Sequence, residues 1–351
     1  MEEQKDALGM LDLLTAPGFC VKNSRIIKVN TAAAALFFSE GMDIGTLLSS
    51  GTEDYRHFSG GCLCLSLENE GRQWNVSVTR QQDVDVFVLE PEVSRPELQA
   101  LALAARELRG PLNSAMLIAD KLVRQEDSEL ADQTARLNRG LYQILRIVSN
   151  MSDAGYVPTQ PNHSLHDMRK VLDEIFQKAQ LLTESAGLVM HYSGLTESIY
   201  SLCDPEQLER AIMNILSNAI KFSPKGSALS ASVSQSGTML RLSIQDGGSG
   251  IPDSLLRSVF YRYLRQSALE DSRHGIGLGM VLIRNAALQH GGTVLIDQGE
   301  NSGTRITMTL SIRQEEPKLC SNILRPISGG YDAGLVALSE VLPASMYDGT
   351  K

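Results

Sequence analysis

The chain has 351 residues, enough for two or three domains that each bury a core. A net charge of −9 and an isoelectric point near 5.3 exclude electrostatic wrapping of nucleic acid, which needs a basic face. The longest apolar run, near Ala32–Phe38, is far short of the roughly 20 residues that span a bilayer, and Met1–Asp6 is charged rather than signal-like, so a cytoplasmic location is expected.

In chain order, Phe19-Cys20-Val21, a turn at Lys22-Asn23-Ser24 and Ile26–Asn30 read as a short hairpin, followed by an alanine- and phenylalanine-rich helix at Thr31–Phe38. Strand-like runs at Cys62–Leu67, Gln73–Thr79 and Val84–Leu89, with turns at Glu68–Gly71 and Arg80–Asp83, form an antiparallel meander. Cys62 and Cys64 alternate along one run and are expected on opposite faces; with Cys20, Cys203 and Cys320 isolated, neither a disulfide framework nor a zinc site is suggested. After a tail at 1–12, the order of elements over 13–92 resembles a small PAS sensor domain, with Asn30 heading the first helix. The resemblance implies a sensor that binds a ligand or transmits force, but it names no cofactor. His57 reads as a surface residue and Trp74 as core.

Past Pro91 and Pro96, apolar residues fall at Leu98, Leu101, Ala105, Leu108, Leu112, Ala115, Ala119 and Leu122. A second series runs through Leu130, Thr134, Leu137, Leu141, Ile144, Val148 and Met151. Both alternate three and four apart, so 93–157 reads as an antiparallel helical hairpin. One hairpin buries only part of its stripe, so pairing with a second chain into a four-helix bundle is expected. Within the first helix, Ala105-Arg106-Glu107-Leu108-Arg109-Gly110-Pro111-Leu112-Asn113 resembles the H box of sensor histidine kinases, with Arg106 where the phosphoacceptor histidine stands and Glu107 as its acidic neighbour. A guanidinium stays protonated and offers no lone pair for phosphoryl transfer, and no histidine occurs from Pro91 through Pro161. His163 and His166 lie just beyond and read as surface or N-cap-region residues.

Residues 158–314 alternate strands and helices. His166–Glu184 reads as a helix. Leu188–Tyr192 and Ser198–Leu202 read as strands, and Asp204 as the N-cap of a long helix through Ile220. Strands at Leu229–Val233, Leu240–Gln245, Thr293–Ile296 and Arg305–Ile312 complete a mixed sheet with helices on one side. Three motifs punctuate this region. Asn214-Ile215-Leu216-Ser217-Asn218 sets two amides at i, i+4, with Lys221 one turn on. A strand then delivers Asp246 into Gly247-Gly248-Ser249-Gly250, and Gly275-Ile276-Gly277-Leu278-Gly279 opens the helix Met280–Leu288.

Asp-x-Gly-x-Gly alone is also a tight-turn pattern. The three motifs in this order resemble the N, G1 and G2 boxes of the GHKL ATP-binding fold of sensor histidine kinases, a two-layer α/β sandwich. The resemblance implies ATP with Mg²⁺. Asp246 would accept the adenine amino group, and Gly248 and Gly250 would let the backbone pass close to the base. Asn218 would hold Mg²⁺ with Asn214 in support, and Lys221 would face the phosphates. Gly275, Gly277, Leu278 and Gly279 would present N–H groups to the phosphate chain, with Gly303-Thr304 closing the site. Val259–Arg265 resembles a degraded F box that keeps Arg262 and Arg265 but has Tyr261 in place of an acidic residue, and Gln266–His274 would be the ATP lid.

The expected whole is therefore a multidomain α+β protein: PAS-like sensor, dimerising hairpin and GHKL domain, ending in a surface-docked tail at 315–351. Three functions compete. The first is a degenerate kinase that binds ATP and signals by conformation to a response regulator or an active kinase. The second is a working histidine kinase that uses another histidine. The third is a GHKL ATPase or anti-sigma-type serine kinase, a family that lacks the sensor and the hairpin.

Overall fold

The computed structural model describes residues 11, 14–89, 95–123, 128–155, 163–252, 256, 278–299, 302–314 and 331–347. Near the N-terminus, β1 (Gly18–Lys22) and β2 (Arg25–Val29) pair antiparallel. Helix α1 (Thr31–Ala34) follows, where Asn30 Oδ1 accepts from Ala33 N at 2.9 Å and from Gly18 N at 3.1 Å, tying helix to strand. The helix is shorter than the run Thr31–Phe38, because Phe37 takes a left-handed φ of 65° that stops it. Short helices α2 (Ile44–Leu47) and α3 (Thr52–Arg56) lead into the meander β3 (Cys62–Asn69), β4 (Arg72–Gln81) and β5 (Val84–Leu89). Phe19 stacks on Phe38 and Phe87 at ring distances of 5.1 and 5.0 Å, in a core that includes Trp74. His57 caps α3 with Nδ1 against Glu53 O and is exposed.

Helices α4 (Arg95–Val123) and α5 (Ser128–Gly155) form the hairpin, with Pro111 inside α4. Ala105, Leu112, Met116 and Ala119 are buried along α4, as are Leu145 and Val148 along α5. The seams divide rather than bury whole: Leu108, Leu137 and Ile144 are about half exposed, and Leu117 and Ile118 more so.

Beyond the hairpin, β6 (Ser164–Asp167) pairs with β8 (Tyr200–Cys203). His166 thus lies in a strand, and α6 (Met168–Ser185) starts only after Asp167, whose carboxylate caps Arg169 N. Asp204 caps α7 (Pro205–Phe222) through Glu206 N and Gln207 N. Strands β7 (Val189–Ser193), β9 (Ala228–Ser236), β10 (Met239–Gln245), β11 (Val294–Gln298) and β12 (Thr304–Ser311) form a sheet in the order β11-β12-β10-β9-β7, with β7 parallel to β9. Residues of β9 alternate exposed and buried, so one face is covered. There α6, α7 and α8 (Leu278–Gln289) contribute to a shared core.

Two features depart from the expected string of separate parts. Strand β3 pairs antiparallel with β11, so the described residues form one ten-stranded sheet running through both domains. Cys62 and Cys64, two apart, share a face and not opposite ones, as the pleat requires, and both enter the core of α6–α8, while Leu63 and Leu65 face the N-terminal core. Residues 331–347 of the tail are no surface appendage either. Helix α9 (Ala333–Ala337) and a 3₁₀ turn (Ala344–Tyr347) bury Leu338, Ser339 and Leu342 completely, and Val336 packs with Leu112, Met116 and Leu145 of the hairpin.

Candidate nucleotide site

The end of β10 places Asp246 beside the start of β12. Asp246 Oδ1 accepts from Gly248 N at 2.8 Å and Thr304 N at 3.0 Å, and Asp246 N donates to Thr304 O at 2.9 Å. Burial raises the carboxyl above its ordinary range, and the N–H groups of Thr304 and Gly248 pull the other way. Side chains are excluded around it. Gly303 has φ +82°, and a Cβ there would stand 2.1 Å from the Asp246 carbonyl oxygen; one on Gly248 would stand 2.7 Å from Phe222 O at the end of α7. Gly250 lies against the backbone of Gly303.

Asn218 stands one turn from that end of α7 and Asn214 at the middle of the helix. Asn218 donates through Nδ2 to Met280 Sδ at 3.5 Å, and a Cβ on Gly279 would be 3.1 Å from Asn214 Oδ1. Asn214 is buried and donates to Arg210 O one turn back, which suits support more than ligation. Leu278 is buried at the first turn of α8. Asp246, Gly248, Gly250 and Thr304 thus gather by Phe222 at the C-terminal end of α7, and Asn214, Asn218, Leu278 and Gly279 gather where α8 starts along the second half of α7. Arg262, Gly275 and Gly277 lie outside the described residues, as do Tyr261, Tyr263, Leu264, Arg265 and the loop 266–274.

Such a site fits a nucleotide with Mg²⁺. A partly buried carboxylate is an acceptor for an exocyclic amine, the glycines leave a cradle, and Asn218 supplies the hard oxygen Mg²⁺ prefers. Among the described residues no group of three or more His, Cys, Asp or Glu side chains could hold a metal ion.

Lys221 is engaged differently from expectation. Its Nζ meets Glu340 Oε1 at 2.5 Å, and Glu340 Oε2 meets Arg146 Nη1 of α5 at 2.6 Å. Glu340 carried no signal in the sequence, because a lone carboxylate in a short apolar run names no partner. Next to it, a cavity of about 300 Å³ separates hairpin, α6, α7 and tail, lined by Arg109, Glu174, Lys178, Glu209 and Asp332 among others.

On the hairpin, Glu107 is exposed and Arg106 lies in α4 with its side chain outside the described set. The remaining described histidines near the domain stand elsewhere. His163 stacks on His290 at 4.6 Å, and His290 Nε2 accepts from Asp204 N at 3.1 Å. That is the N-terminal end of α7, about 20 Å along the helix from Asn218 at 1.5 Å per residue.

Residues 203–314 match the family of histidine kinase-, DNA gyrase B- and HSP90-like ATPases. The chain is 27% identical over 235 residues to hybrid signal transduction histidine kinase D of Dictyostelium discoideum, covering 63% of this chain and 15% of that protein. It is 26% identical over 247 residues to sensor histidine kinase ZraS of Escherichia coli, covering 66% and 50%. Against adaptive-response sensory kinase SasA of Synechococcus elongatus the identity is 24% over 234 residues, covering 61% and 59%. The match spans about half or less of the length of the first two. Full-length ShkA in complex with AMPPNP superposes with a TM-score of 0.49 at 19% identity, covering 62% of this chain and 47% of that one. No described helix is long and apolar enough to cross a membrane.

Proposed function

We propose that this chain, whose residues 203–314 form a histidine kinase-type GHKL ATPase domain, is a degenerate sensor kinase that binds ATP with Mg²⁺ but does not phosphorylate itself on histidine. The carrying observation is Arg106 at the acceptor position, in a hairpin stretch without histidine from Pro91 through Pro161. A permanently protonated guanidinium cannot attack phosphorus.

In this reading Asp246 sets base identity, Gly248 and Gly250 admit the adenine plane, and Thr304 steadies the carboxylate. Asn218 positions Mg²⁺ with Asn214 behind it. Lys221, Arg262 and the N–H groups of Gly275 through Gly279 would face the phosphates, and the dipole at the start of α8 would favour anions. Bound ATP would bring the transferable phosphoryl group. Glu107 would act as base only if a histidine stood beside it. The exposed leucines of the hairpin support a homodimer, and the N-terminal domain supports a PAS-like sensor. The output would pass by conformation to a response regulator or to an active kinase.

The second reading, a working kinase with another acceptor, is disfavoured by His163, against His290, and by His166, in the strand beside Tyr200–Cys203, both toward the Asp204 end of α7 and away from Asn218. The test is labelling with γ-labelled ATP. Wild type should take up no acid-labile phosphate, whereas Arg106→His should gain slow acid-labile label that Asn218→Ala or Asp246→Asn removes. Acid-labile phosphate on wild type would overturn the proposal.

A further inference from the structure

The segment 331–347 crosses the boundary between hairpin and ATP-binding domain and bonds to both. On the hairpin side, Arg139 donates to Ser339 O at 3.2 Å and to Glu340 O at 3.0 Å, Gln143 donates to Ser339 O at 3.1 Å, and Asn138 to Tyr347 O at 3.1 Å. On the domain side, Asp332 meets Lys178 of α6 at 2.9 Å. Glu340 does both at once, one carboxylate oxygen on Arg146 and the other on Lys221. The two cations are well shielded, with side chains 16% and 12% exposed, while Glu340 between them is 35% exposed and partly screened by water. Burial alone would raise the Glu340 carboxyl; Lys221 and Arg146 hold it below the ordinary range, so it is an anion at neutral pH.

Lys221 lies on α7 one turn past Asn218, and in the nucleotide reading its charge belongs to the phosphates. A single ammonium cannot hold Glu340 at 2.5 Å and lend its full charge to a phosphate chain. The cavity, lined by Arg146 of the triad, lies between hairpin and domain, and residues 331–347 bridge the two beside it.

We propose that residues 331–347 form an intramolecular clamp in which Glu340 pins the ATP-binding domain to the hairpin through Lys221 and Arg146, and that nucleotide phosphate displaces Glu340 from Lys221. This rests on the nucleotide-binding reading above. Linkage makes the effect reciprocal: whatever affinity Glu340 removes from the nucleotide, the nucleotide removes from the clamp.

The experiment uses the full chain and AMPPNP with Mg²⁺. In wild type without nucleotide, a zero-length carbodiimide should join Lys221 to Glu340, located by peptide mass spectrometry, and saturating nucleotide should suppress that crosslink. By calorimetry, Glu340→Gln should bind AMPPNP at least about fivefold tighter than wild type. Arg146→Gln, which loosens the clamp from the hairpin side, should shift affinity in the same direction. Equal affinity in wild type and both variants, with a crosslink indifferent to nucleotide, overturns the clamp and leaves the nucleotide site standing. No binding to any of the three proteins overturns both.

Discussion

Asp54 Oδ2 accepts a hydrogen bond from Thr293 Oγ1 at 2.6 Å, across the line where β3 of the N-terminal domain meets β11 of the ATP-binding domain. Thr309 Oγ1 donates to the same oxygen at 3.0 Å, and Arg241 reaches the other at 3.2 Å. Both threonines are buried and their hydroxyls stand 3.0 Å apart, so after loss of Asp54 one can still donate to the other and a single buried donor is left without its acceptor. Asp54→Ala should lower unfolding stability by about 1–3 kcal/mol, and Asp54→Asn, which keeps an acceptor oxygen, by less. Urea unfolding of the two variants against wild type checks this, and an unchanged midpoint for Asp54→Ala would show that the contact contributes nothing.

The shared sheet also bears on how a signal at the N-terminal domain could arrive. Cys62 and Cys64 lie in the core of the ATP-binding domain and Leu63 and Leu65 in that of the N-terminal domain, so one strand belongs to both cores. Cutting the chain at residue 161 to isolate the ATP-binding domain would expose the β11 edge, so binding is best measured on the full chain.

At Gly303, a methyl group would meet the Asp246 carbonyl oxygen at 2.1 Å in a backbone conformation, φ +82°, that L-residues avoid. Gly303→Ala should cost at least about 1 kcal/mol of stability and push Asp246 out of line, abolishing ADP binding measured by calorimetry. Retained wild-type affinity in this variant would mean that the 302–304 turn does not shape the pocket.

Leu108, Leu137 and Ile144 are left about half exposed on the hairpin while Ala105, Leu112 and Ala119 are buried within it. Light scattering at micromolar concentration should return about twice the chain mass, and Leu108→Glu should be largely monomeric. A monomeric wild type would refute the dimer.

Much of this architecture could be read from residue order because its signals are local. The Asp204 cap, the i, i+4 asparagines and the strand running into Asp246 each depend on neighbours a turn or a strand away. What escaped depends on partners remote in sequence. The run Cys62-Leu63-Cys64-Leu65 is apolar at every position, the pattern of a strand covered on both faces, yet nothing in it names β11 as the second neighbour. Residues two apart in a strand point the same way, so Cys62 and Cys64 share a face and not opposite ones. The tail was illegible because Val336, Leu338 and Leu342 are too few to show a face, and the Glu340 partners lie more than a hundred residues upstream. Arg106 is the reverse case, a local change legible in sequence whose side chain lies outside the described set.

The last prediction concerns His290, held neutral chiefly by burial. Its Nδ1 donates to Ala286 O at 2.7 Å and its Nε2 accepts from Asp204 N at 3.1 Å, which assigns the tautomer. Burial is the main reason its pKa is pushed down to about 4, and a proton on Nε2 would also turn the Asp204 N–H contact into a clash of two donors. The unfolded chain takes up that proton near pH 6.5 and the folded chain only near 4. The stability contribution is therefore complete above pH 6.5 and is lost as pH falls, at about 1.4 kcal/mol per pH unit and about 3 kcal/mol in all. His163, stacked on His290 and also lowered, mainly by burial, has the same sign. Urea unfolding at pH 7.5, 6 and 5 should show wild type losing stability faster than His290→Gln as the pH drops. Parallel curves for the two proteins would mean that His290 takes its proton equally well in both states.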